Sequence, residues 1–309
     1  MLLYFLILFN FIKKLKMFLQ RSSSLFFNKI IDYAGFFPPS QLPIEEAFYK
    51  FLDYQQAVHN RMLSGFICPA QHLELIYDLS IQKDASNIPI IIVGSVQEIE
   101  HQAHWMAMHN DILSFSVFET KFDYRQDSLR GVEKIINNDI NFNTIFLEPD
   151  IDLKDLRFIY FLDNLSKNTS FGLKIRCGGA MAQIVPNVNL LSQLFILCSE
   201  RAIPLKFTAG LHRAIRHINN YNNIEHGFIN VFLGAIAAYS GIKDEILISS
   251  IIECQNKHKF VFSDSGICFE NTQIKVADIK KARERVTSFG SCNFVKPIED
   301  LTNMELIVK

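Results

Sequence analysis

The sequence predicts a single TIM-type (β/α)8 barrel with a carboxyl-terminal hairpin and helix embellishment. Three observations predict it. Seven short apolar runs alternate with segments of helical period, no composition typical of a domain linker interrupts the series, and two consecutive runs each carry one lysine and end at glycine (Lys174 in FGLKIRCGG, Lys206 in IPLKFTAG). An open doubly wound parallel sheet is the alternative reading of the same alternation.

The first sixteen residues stand outside this scheme. MLLYFLILFNFI is too short to span a bilayer, and its basic residues, KKLK, follow the apolar run, whereas a secretory signal carries them in front. Residues 1–16 are therefore expected to be an extension that is not part of the fold, with the barrel domain covering 17–309 and Met17 as its natural start. A membrane-surface anchor is the other reading of the segment.

From there the units follow in order. NKIIDYAGFFPPSQLP reads as a strand entering a Gly/Pro turn, with Asp32 near the strand end, and Pro43 opens a helix. SGFICPA, IPIIIVGS, ILSFSVFET and NTIFLEPD are the next strands, each followed by a helical pattern. FGLKIRC and IPLKFT are the sixth and seventh, with NLLSQLFILCSERA between them as a helix. For the eighth strand two segments compete: GFINV after His226, or part of KFVFSDSGICFENTQI, which reads as a hairpin about Asp264-Ser265-Gly266. A helix around ADIKKARERVTSF closes the chain, and Cys292 in SFGSCNF reads as a residue of a terminal packing turn.

Composition narrows the function. With 31 basic against 32 acidic side chains and a net charge of −1, no global field favours nucleic acid or an anionic membrane. Six cysteines without a CxxC pair suit a reducing compartment, so a cytoplasmic protein with a small-molecule substrate is expected. Composition leaves its oligomeric state open.

Strand parity locates the site. Alternation turns Leu173, Ile175, Leu205 and Phe207 toward the surrounding helices and Lys174, Arg176, Lys206 and Thr208 toward the barrel interior. Glu148 ends TIFLE with the same inward parity, whereas Glu119 shares its alternation with Phe115 and Val117 and its direction is ambiguous. Active sites of this fold gather at the carboxyl ends of the strands, so Lys174, Lys206 and Glu148 are the candidate catalytic groups. His212, in the cluster His212, His217 and His226, is a candidate proton carrier. Arg176 with Gly178 and Gly179, read as the start of the next helix, is a candidate anion site; Thr208, Asp32 and Glu119 are further substrate-facing candidates.

Two nearby lysines in a desolvated site lower each other's pKa, leaving a neutral amine to form a Schiff base. The same groups can instead abstract a proton next to a carbonyl without covalent chemistry. The expected activity is therefore carbon–carbon lyase or isomerase chemistry on a small anionic carbonyl compound or sugar phosphate, without a cofactor. A metal-dependent hydrolase using Glu148 and the histidines, with a divalent metal, and a non-catalytic anion-binding barrel are the alternatives. His212 and His217 are five apart, not the four that puts two ligands on one helix face.

The set DYAGFFPP, LKIRCGG, LKFTAGLH and SFGSCNF, from about Ile31 onward, resembles an uncharacterised bacterial protein family, a resemblance that implies no particular activity. By placement on the sixth and seventh strands, Lys174 and Lys206 also resemble the lysines of deoxyribose-phosphate aldolases, which implies a Schiff-base lysine. The residues after Lys174, IRCGG, depart from that family's Thr-Ser-Thr-Gly.

Overall fold

The computed structural model describes residues 18–136, 142–179 and 185–308. The segment 1–16 and the expected start at Met17 lie outside them. Eight parallel strands close into a barrel: β1 (Ile31–Tyr33), β2 (Leu63–Pro69), β3 (Ile88–Val93), β4 (Leu113–Lys121), β5 (Thr144–Glu148), β6 (Phe171–Arg176), β7 (Leu205–Thr208) and, eighth, Val286–Ser291, which pairs with both β7 and β1. The predicted barrel is thus the architecture found. No helix among the described residues is long and apolar enough to cross a membrane.

The eighth strand is neither segment the sequence suggested. Within GFINV, Phe228 begins the helix Phe228–Tyr239, whose side chains are almost all fully buried. Its all-round apolar sequence is what a helix packed on every side requires, and short apolar runs do not distinguish helix from strand by period alone. KFVFSDSGICFENTQI forms the expected hairpin, but as part of a three-stranded antiparallel sheet, β10 (Phe260–Phe262), β11 (Gly266–Phe269) and β12 (Thr272–Lys275), outside the barrel. This embellishment precedes the last barrel strand. A two-stranded ribbon of β8 (His217–Ile218) and β9 (Ile224–Glu225) comes earlier, after β7.

The helix read over ADIKKARERVTSF stops at Arg283, and VTSFGS is strand β13. Phe289 on its outer face stacks on Phe228 at 5.3 Å between ring centroids, while Ser288 and Gly290 face inward. Burial against the long apolar helix therefore decides a segment whose local pattern reads two ways.

The barrel interior is divided. Ala34, Ile67 and Ile91 form a small apolar cluster with Phe37, Val93 and Val117 on the β1–β4 side. The opposite wall, from β4 through β7 and β13, carries charged and polar side chains. A bulge explains how β4 serves both. Ile90 pairs with Phe115 but Ile91 pairs with Val117, so Ser116 is an extra residue. The inserted residue reverses the parity between Phe115 and Val117 and turns Glu119 inward, resolving the ambiguity of its alternation.

Candidate functional site

Within the polar wall, side chains from five strands form one line of alternating charge. Asp32 on β1 meets Lys206 on β7; Lys206 also meets Glu119 on β4. The other oxygen of Glu119 lies 2.8 Å from the Nζ of Lys174 on β6, which is also 2.8 Å from Glu148 Oε2 on β5. Glu148 Oε1 in turn accepts from Arg176 at 2.8 Å. Three carboxylates and three cations balance, and Ser288 Oγ donates to Asp32 at the deep end.

Exposure rises along this line. Side-chain exposure is 0% at Asp32 and 1% at Lys206 and Glu119, then 9% at Lys174, 11% at Glu148 and 44% at Arg176. A cavity of about 500 Å³ opens at the carboxyl ends of the strands and exposes only the outer part of the line: Glu119, Lys174, Glu148 and Arg176 contribute to its walls, Asp32 and Lys206 do not. Thr208, Gly178, Gly179 and His212 line it as well. Eight of the ten sequence-predicted residues thus meet at one cavity, and the other two lie beneath it.

The lysines do not depress each other. Lys174 and Lys206 are register partners on adjacent strands, but Glu119 is inserted between their ammonium groups. Burial alone lowers each lysine; the flanking carboxylates outweigh it, so both titrate above the ordinary lysine range. Burial likewise raises Glu119, but the two lysines overcome it and hold its pKa at about 2. Asp32 goes the other way, raised by complete burial that Lys206 only partly offsets. Lys174 is accordingly an ammonium in the resting protein, not the neutral amine expected from two adjacent cations.

The anion-site reading starts a helix at Gly178 and Gly179, and the residues that follow, 180–184, lie outside the described ones. The next described helix, Val188–Glu200, starts at an Asn187 cap whose side chain accepts from the Leu190 N–H. Gly178 has a packing role: a Cβ there would lie 2.8 Å from the Gly210 Cα, and one on Gly210 would lie 2.7 Å from the Gly178 Cα. The two loops that follow the lysine strands touch backbone to backbone at this point. Deeper in the interior, Gly172 leaves room for the Phe146 ring, over which the Lys206 ammonium sits 5.8 Å from the centroid.

The histidines do not share a site. His226 is buried, with Nε2 donating to the Pro186 carbonyl and Nδ1 accepting from Arg216, both at 2.8 Å. His217 faces Glu225 at 3.5 Å. His212 alone is in the cavity wall, beside Cys292. Among the described residues no group of three or more His, Cys, Asp or Glu side chains is placed to hold a metal ion; the three central carboxylates are each engaged by a cation.

Sequence reasoning missed Ser288, Cys292 and Glu225. The first two escaped because VTSFGSC was read as helix and turn; alternation of Ser288 and Gly290 about Phe289 is the local signal that finds a strand there. Glu225 has no such signal, since β8–β9 is a two-residue pairing.

The fold and this site define an α/β barrel with a charge-lined cavity at the carboxyl end of its strands. Comparison with protein families, with curated proteins and with solved structures found no match to the chain.

Proposed function

We propose that this barrel is an isomerase or carbon–carbon lyase acting on a small anionic carbonyl compound, with Lys174 and Glu148 as its catalytic pair. The observation that carries the reading is the position of the Lys174 ammonium: in the wall of the cavity, between Glu119 and Glu148, with the exposed Arg176 at the rim. Such a group donates a hydrogen bond to a carbonyl oxygen and stabilises the charge that develops there when a proton leaves the adjacent carbon.

Glu148 is the base. Burial raises its carboxyl, but Lys174 and Arg176 hold it below the ordinary range. An incoming carboxylate or phosphate competes for the exposed Arg176 guanidinium, and losing one of its two cations makes Glu148 more basic as substrate binds. Glu148 then takes the α-proton while Lys174 donates to the enolate oxygen. The apolar wall of Ala34, Phe37, Ile67 and Val93 across the cavity favours a substrate with a hydrocarbon arm over a polyhydroxylated sugar phosphate.

A covalent variant uses the same residues. Lys174 first loses a proton, then attacks the carbonyl carbon and releases water to form an imine. The placement of Lys174 and Lys206, similar to that in deoxyribose-phosphate aldolases, supports it; the raised pKa of Lys174 favours the non-covalent route.

The test is exchange of α-hydrogens in D2O, followed by NMR, over a panel of 2-oxo acids, aldehydes and sugar phosphates, with borohydride added in parallel. Exchange that disappears in Lys174→Met and Glu148→Gln supports the proposal, and a reduced adduct on Lys174 selects the imine route. Absence of exchange, adduct and product across the panel, with saturable binding retained, leaves an anion-binding barrel.

A further inference from the structure

Lys121, the last residue of β4, is in the cavity wall but outside the line of alternating charge. The bulge at Ser116 sets its direction as it sets that of Glu119, two residues earlier on the same face. Phe122 fixes the strand end. Its N–H donates to the Glu148 carbonyl at 3.2 Å, and its buried ring stacks on Phe161 of the helix Leu156–Leu165 at 5.2 Å between centroids. Lys121 is thereby turned to the mouth of the barrel, where it is exposed.

The carboxylates around it are committed to other cations. Glu148 is its register partner on β5, but one oxygen of Glu148 serves Lys174 and the other Arg176. Glu119 gives its two oxygens to Lys174 and Lys206. Glu225, the third carboxylate of the wall, comes from β9, after β7 in the chain, and is engaged by Asn219 Nδ2 at 2.7 Å and by His217 at 3.5 Å. Among the described residues no carboxylate is within ion-pair distance of Lys121.

Its place in the barrel joins two kinds of surface. Lys121 on β4 and Arg176 on β6 stand on either side of Glu148 on β5, with the less exposed Lys174 beside them. On the other side of β4, Val93 of β3 begins the apolar wall that continues through Ile67 to Ala34. An anion at the rim therefore has a hydrocarbon surface one strand away.

We propose that Lys121 is the anion-binding residue of this cavity, and that its ligand is the carboxylate of an aliphatic oxo acid whose chain lies on the wall of Ala34, Phe37, Ile67 and Val93. The oxo group faces Lys174, and that part of the ligand rests on the isomerase or lyase reading above. A singly charged carboxylate is matched by Lys121, with Arg176 drawn toward it. A phosphate dianion requires a second full cation, and Arg176 already serves Glu148; charge left unmatched in a confined site is costly.

The test uses unreactive acids, so that binding is read without turnover: calorimetric titration of the full chain with acetate, butanoate and hexanoate, and with hexanamide and hexyl phosphate for comparison. Affinity is expected to rise about three- to fourfold per methylene, as burial of a CH2 group dictates, and to fall with added salt. Lys121→Met is expected to weaken hexanoate about tenfold, the loss of one charge-assisted hydrogen bond, and to leave hexanamide unchanged. Lys121→Arg is expected to restore hexanoate binding, and hexyl phosphate to bind no tighter than hexanoate. Equal binding of hexanoate by the wild type and Lys121→Met overturns the proposal. So do an affinity independent of chain length, tighter binding of hexyl phosphate, and no binding of any of the acids. The catalytic reading fails separately. Lys121-dependent hexanoate binding without α-hydrogen exchange leaves the anion site standing, whereas exchange whose KM is unmoved by Lys121→Met removes the anion site and leaves Lys174 and Glu148.

Discussion

Lys174 and Lys206 are register neighbours on β6 and β7, yet a single carboxylate, Glu119, reaches across the barrel and gives one oxygen to each. That relationship sets the protonation of the site. It separates a cavity-facing lysine from a buried one that pairs with Asp32 and Glu119.

Lys206 is expected to be structural in its immediate effect. Lys206→Met leaves Asp32 and Glu119 facing each other without their shared cation, and removing one member of a buried pair costs about 3–5 kcal/mol. Urea denaturation is expected to show a loss of that order. Adding Asp32→Asn to Lys206→Met should recover part of it, giving a non-additive cycle.

Acid sensitivity follows from Glu119. Its folded pKa, about 2, lies below the ordinary value near 4.5, so its stabilising contribution is complete above about pH 4.5 and is lost as pH falls toward 2. The difference corresponds to about 3 kcal/mol. Stability measured against pH should show this limb, and Glu119→Gln should flatten it while lowering stability at pH 7.

His226 adds a separate limb at higher pH. Burial, aided by Arg216 and opposed by the Pro186 carbonyl, lowers its pKa from about 6.5 to about 4. Neutral His226 accepts from the guanidinium, and protonation sets two donors against each other. Its contribution is therefore present above pH 6.5 and lost between 6.5 and 4. His226→Gln is expected to abolish the pH dependence within that window, read by thermal melting at half-unit intervals.

Gly178→Ala tests the contact between the two lysine-bearing loops. The new methyl would meet the Gly210 backbone at 2.8 Å, where no flexible side chain can yield. Overpacking of this kind costs about 1–3 kcal/mol. The expected result is a lower melting temperature together with weakened ligand binding, because Gly178 and Gly210 both line the cavity; unchanged binding would show that the loops separate without disturbing it.

The amino-acid sequence determined the alternation of strands and helices, and with it the inward direction of Lys174, Arg176, Lys206, Thr208 and Glu148, because strand parity is a local property with a period of two. It also determined that these residues lie at strand ends followed by loops. Tertiary structure decided the rest. Which segment closes the barrel depends on pairing between residues more than 250 apart, as between Ile31 and Phe289, and on the burial of the Phe228–Tyr239 helix against it. The direction of Glu119 depends on one extra residue, Ser116, which only pairing with β3 reveals. Protonation of the lysines was likewise beyond local pattern: two cations on adjacent strands suggest mutual repulsion until the carboxylate between them is seen. Cys292 and His212 follow strands far apart in the chain, and only closure of the barrel brings them to one cavity wall.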